Sequence, residues 1–156
     1  MKKIGIIVAM EEEEEAIEKI MDNVELKQIY NLIFKIGEIN NKKCILVKSG
    51  VGKVNAARTT QILIDNFKID AIINVGSAAT ASDELQIGDI VIGETLVQHD
   101  FDITAFGHKK GYISNVGESI KSDMALIEKF KKTIEEMNDR DYKIKIGTIA
   151  SGAIVK

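Results

Sequence analysis

The chain has 156 residues, of which 45% are apolar and 29% charged, and its formal net charge is −3. That is the length of one ordinary domain with a true core, and the balance of a soluble globular protein. Nothing in the charge favours nucleic acid or an anionic membrane, no apolar run reaches a membrane span, and the N-terminus lacks the shape of a secretory signal, so a cytoplasmic protein is expected.

Lys3–Ala9 is short, continuous and β-branched, which reads as a buried strand. Glu11 to about Asp22 reads as a helix. Leu32–Ile39 and Lys43–Lys48 flank Asn40-Asn41, a hairpin signal. Cys44, the single cysteine, leaves no internal disulfide and no zinc cluster, and reads as a buried small hydrophobe. Gly52–Phe67 is a helix with Ala56, Ala57, Thr60, Leu63, Ile64 and Phe67 on one face. Ala71–Val75 and Asp89–Val97 are strands. Asp123–Met137 is an amphipathic helix with Ser122 as its expected N-cap, and Lys143–Ala150 is a last strand. Strands alternating with helices argue for an α/β layer fold with a largely parallel sheet, whose ligands lie at the carboxyl ends of the strands. No domain boundary is visible, so 1–156 reads as a single domain. The last strand is followed by no covering helix, which suggests a shortened relative of something longer or a face covered by a partner.

Five consecutive glutamates, Glu11–Glu15, follow the first strand. On a helix at about 100° per residue, Ala16, Ile17, Ile20 and Met21 share one face. Glu13 lies at the centre of that face and Glu14 at its margin, while Glu11, Glu12 and Glu15 point to solvent and suit the positive end of the helix dipole. An inward acid at a strand-to-helix junction either caps nearby backbone donors or faces a ligand crevice. Three further glycine-bearing loops follow strands: KSGVGKVNAA (48–57), NVGSAAT (74–80) and SGA (151–153). Each alone is an ordinary turn, and together they point to a shared crevice. HDFDITAFG (99–107) offers too weak a ligand set for a metal. Its Phe106, between Ala105 and Gly107, invites docking against another surface.

Taken in order and spacing, IGIIVAMEEE, KSGVGKVNAA, NVGSA, IGDIVIG and HDFDITAFG resemble the 5′-methylthioadenosine/S-adenosylhomocysteine nucleosidases, of the nucleoside phosphorylase superfamily. The resemblance runs to about Gly152. It implies a three-layer α/β/α sandwich around a central, largely parallel twisted sheet. It also implies a homodimer, no cofactor and no metal, and hydrolysis of the bond between adenine and the thio-ribose. By the same resemblance, Glu13 is the water-activating carboxylate. Ala9 and Met10 lie near the ribose and water, Val51 near the substrate, and Ser77 and Ala78 beside purine and ribose. Phe106 reaches into the partner's pocket against the alkylthio group, with His99–Phe106 at the dimer interface.

The family's purine-protonating aspartate and its methionine–glutamate ribose clamp fall beyond Lys156, so a domain truncated at its C-terminal end is expected. The sequence has Val8 where the family has glycine, Ala79-Thr80 where it has two glycines, Ala153 for an acid and Val155 for the adenine-stacking aromatic. Breaking the glycosidic bond builds oxocarbenium character on the ribose, which a carboxylate meets by deprotonating water while a second acid protonates the purine. Burial and neighbouring acids are expected to raise the pKa of Glu13. The alternatives are a catalytically impaired nucleoside-binding or interaction module, and another nucleoside hydrolase or phosphorylase of the superfamily. Phosphorolysis calls for cations around phosphate, and the arginines Arg58 and Arg140 lie outside the glycine loops.

Overall fold

The computed structural model describes residues 3–80, 82–137 and 141–153. Arg140 and Val155 lie outside the described residues. The chain divides into two compact units, Met1–Ala78 and Ala79–Lys156.

The first unit runs β1 (Ile4–Val8), α1 (Glu11–Glu18), β2 (Asp22–Ile29), β3 (Leu32–Ile39), β4 (Lys42–Lys48), α2 (Lys53–Phe67) and β5 (Ala71–Asn74). Its sheet has the order β2-β3-β4-β1-β5. β1 is parallel to both β4 and β5, whereas β2–β3 and β3–β4 are antiparallel. The predicted Asn40-Asn41 turn joins β3 to β4, with φ of 49° and 61°, the doubly left-handed geometry that matches strand twist. One sheet face carries Ile7, Phe34, Ile45 and Val47 against Leu63 and Phe67 of α2. The other carries Ile6, Val8, Cys44 and Leu46 against Met21, with Ile17 of α1 packed on them. Period-2 alternation thus gives one sheet two apolar faces, each with a helix, which makes this unit three layers.

Asp22–Ile29, to which the sequence pattern assigns no element, is a strand. It is a largely exposed edge strand whose register comes from pairing with β3, so its polar sequence carries little strand signal. The helix after β1 stops at Glu18 and closes with tight turns, Ile20 N–H to the Ile17 carbonyl and Met21 N–H to that of Glu18. The 100° register therefore ends early. Met21 is buried, but Ala16 and Ile20 are exposed, and Glu14 takes the buried place expected of them.

The second unit holds β6 (Ile90–Gln98), a short 3-10 turn (Thr104–Phe106), β7 (Ile120–Lys121), α3 (Met124–Glu136) and β8 (Ile144–Ser151). Its sheet has the order β7-β6-β8, with β6–β8 parallel and β6–β7 antiparallel. The N-cap of α3 is Asp123, not Ser122: the Asp123 carboxylate accepts the Leu126 N–H at 2.9 Å, while the Ser122 hydroxyl donates to the Gly93 carbonyl. The α/β class holds in both units, with parallel order at β5-β1-β4 and β6-β8 and antiparallel pairs added outside it.

Candidate active site

Because β1, β4 and β5 are parallel, their carboxyl ends open on the same edge of the first unit's sheet. β1 leads through Ala9 and Met10 into α1, β4 through Ser49–Gly52 into α2, and β5 into Val75–Ala78. Three backbone and side-chain ties hold these ends together. Ser49 N–H donates to the Val8 carbonyl at 2.8 Å, Val75 N–H to that of Ile7 at 3.0 Å, and the buried Ser49 hydroxyl lies within donor reach of the Val8 and Gly50 carbonyls.

Glu13 sits at the third position of α1 and turns back across this edge. One carboxylate oxygen accepts the N–H groups of Ala9 at 2.9 Å and Met10 at 3.0 Å. The other accepts the Ser77 N–H at 2.9 Å and the Ser77 hydroxyl at 3.2 Å. The Met10 bond is half of a capping box, the local role open to any acid at this position. The Ser77 bonds are not local: they reach a loop that enters the site after an entire α/β crossover. Gly76 permits the approach, since a Cβ there would lie 3.1 Å from Glu13 Oε1.

Removal from water pushes the Glu13 carboxyl up. The N–H groups of Ser77, Met10 and Ala9 and the Ser77 hydroxyl outweigh that and hold it below its ordinary value. The expectation of a raised pKa is therefore wrong in sign. Partial burial acts in the expected direction, but hydrogen bonds to the charged form exceed it, and Glu14 is turned away to Lys35. A group held this way is an ionised acceptor at neutral pH, with its lone pairs directed and shared.

Of the other expected site residues, Ala9 and Met10 place backbone N–H groups on Glu13, and Ser77 places both of its donors there. Ala78 is exposed and next to Ser77 in the same loop. Val51 is 71% exposed in the β4–α2 loop between Gly50 and Gly52, whose φ values of 83° and 108° suit glycine. Phe106 belongs to the second unit, where it ends the 3-10 turn and is 80% exposed. The sequence reading missed Gly76 and Ser49 as site builders, although both stand inside the loops it singled out. Among the described residues, no group of three or more His, Cys, Asp or Glu could hold a metal ion, and no helix is long and apolar enough to cross a membrane.

A family model for the phosphorylase superfamily matches residues 3–154. The chain belongs to the phosphorylase superfamily. Within that superfamily it is similar to the 5′-methylthioadenosine/S-adenosylhomocysteine nucleosidase of Staphylococcus haemolyticus, at 40% identity over 149 residues. Among solved structures it is similar to the same-named nucleosidase of Neisseria meningitidis in complex with methylthio-immucillin-A, with a TM-score of 0.91, 36% identity and 97% of this chain covered. A futalosine hydrolase mutant of Helicobacter pylori also superposes, with a TM-score of 0.90, 32% identity, all of this chain covered and 70% of that one. The chain spans 64% of the length of the Staphylococcus relative, of which the match takes in 96% of this chain, and 65% of the Neisseria one. The nucleoside phosphorylase-like α/β fold implied by the resemblance is the fold observed.

Proposed function

We propose that the chain carries the water-activating half of a purine N-ribosyl hydrolase acting on 5′-methylthioadenosine and S-adenosylhomocysteine, releasing adenine and the thio-ribose. The observation that carries this reading is the Glu13 carboxylate, held ionised at the strand-end edge by four donors from two separate segments. As the glycosidic bond lengthens, the anomeric carbon becomes strongly electrophilic. The attacking water then needs only a weak base to take its proton, and an ionised carboxylate of lowered pKa suffices. The longest of the four contacts, from the Ser77 hydroxyl, is the one an incoming water displaces most cheaply. Ala9, Met10, Val51 and Ala78 border the substrate in this reading, and no cofactor or metal takes part. A homodimer through His99–Phe106, with Phe106 against the partner's alkylthio group, and a cytoplasmic site in methionine salvage complete it.

The nucleosidase likenesses support the substrate choice, and the likeness to a futalosine hydrolase makes futalosine the substrate to compare. The test is adenine release from 5′-methylthioadenosine, with binding followed in parallel by calorimetry. Release that needs no phosphate and falls by about 10²–10⁴-fold in Glu13→Gln, with the fold intact, supports the hydrolase. Binding without release makes the chain a nucleoside-binding module, and equal release by Glu13→Gln overturns the assignment of the base.

A further inference from the structure

We propose that Lys35, on β3 outside the strand-end edge, is a positioning residue that holds the start of α1 so that Glu13 meets Ala9, Met10 and Ser77; this rests on the reading of Glu13 as the water-activating group. Six of the eight residues of α1 are glutamates, its last turn has no basic residue, and eight residues are too few to be stable alone. Something outside the helix must counter its charge. Lys35 Nζ lies 3.2 Å from Glu14 and 2.6 Å from Glu18, one turn apart on the same helix. The Glu14 side chain is 9% exposed and that of Lys35 14%, so this bridge is shielded from solvent. Lys48, at the end of β4, bonds Glu11 of α1 at 3.2 Å, but that carboxylate is 70% exposed and the pair is screened. Glu14 is the residue next to Glu13 in the first turn. Its burial against Lys35 therefore fixes the rotation of the turn from which Glu13 reaches back.

Without the Lys35 charge, buried Glu14 loses the cation paired with it among the described residues and must seek water, and the turn rotates with it. The Glu13 carboxylate then leaves its donors. The resulting loss is read at Glu13 and not only in overall stability, which separates positioning from a merely structural role.

The experiment is an NMR titration of the full chain, following the side-chain carboxyl of Glu13 and the amide protons of Ala9, Met10 and Ser77. In the unaltered chain these amides shift as Glu13 protonates, because they are bonded to it. In Lys35→Met the Glu13 midpoint is expected to rise toward the ordinary glutamate value. The amide excursions should shrink to less than about half. Lys35→Arg, which keeps the bidentate geometry available, restores both. A risen midpoint with full amide excursions means only that a nearby positive charge was lost, and overturns the proposal, as does an unchanged midpoint. If Lys35→Met does not fold, Glu14→Gln, which keeps the side-chain shape, is read by the amide excursions alone, because loss of a neighbouring carboxylate by itself lowers the Glu13 midpoint: shrunken excursions support the proposal and full ones overturn it. The titration does not depend on turnover: no adenine release with the expected shifts removes the hydrolase reading and leaves the positioning role standing.

Discussion

One carboxylate oxygen of Glu13 accepts both the backbone N–H of Ser77 at 2.9 Å and its hydroxyl at 3.2 Å, across 64 positions of sequence. The two donors are separable. Ser77→Ala keeps the N–H and removes the hydroxyl, so Glu13 stays in place and loses one of its four donors. Adenine release is expected to fall about 10-fold, well short of the loss in Glu13→Gln. Steady-state kinetics on both variants, with circular dichroism to check the fold, decide it.

Gly76→Ala attacks the same relationship sterically. The added Cβ would stand 3.1 Å from Glu13 Oε1, closer than ordinary contact, and must push the loop or the carboxylate away. Release should fall by a further factor of about 10 over Ser77→Ala, since the backbone donor is displaced along with the hydroxyl, and the Ser77 amide should exchange faster.

The lowered pKa of Glu13 fixes the sign of a stability effect. Its folded-state pKa lies below its unfolded value, so its contribution is complete above the unfolded pKa, near the ordinary glutamate value of about 4.3, and is lost as pH falls through the folded one. Glu13→Gln, which does not titrate, should lower stability at neutral pH by about 1–3 kcal/mol and flatten the acid limb of a denaturation-versus-pH curve. An acid limb with the same slope in both proteins contradicts this.

Gly5 has no room for a side chain. A Cβ there would lie 2.6 Å from Leu63 Cδ2 in the fully buried contact between β1 and α2. Gly5→Ala is expected to cost about 1–3 kcal/mol in urea denaturation. Because β1 leads directly into Ala9 and Met10, it should loosen the site as well.

Thr59, also on α2, is fully buried and its hydroxyl has no hydrogen-bond partner among the described residues. Valine has the same shape without the orphaned polar atom. Thr59→Val should stabilise the protein by about 1 kcal/mol and raise Tm by several degrees, as measured by calorimetry.

What could be read from residues alone was whatever depends on near neighbours in the chain. Lys3–Ala9 and Ala71–Val75 declare themselves by unbroken β-branched runs. Asn40-Asn41 names its own turn, and the α2 pattern delivers Leu63 and Phe67 to the core. Glu13 stood out because its neighbours gave it no solvated role, and NVGSA already held the serine it meets. The rest was set by partners distant in sequence. Asp22–Ile29 is a strand because β3 lies beside it. Glu14 is buried because Lys35, 21 positions on, brings a cation to it. Glu13 is a weaker base than its acidic surroundings suggested, because Ser77 arrives from another strand with two donors. Hydrophobic periodicity is a local property of the chain. Hydrogen bonds and ion pairs across a sheet edge exist only once the strands have found their order, and they decided the electrostatics of this site.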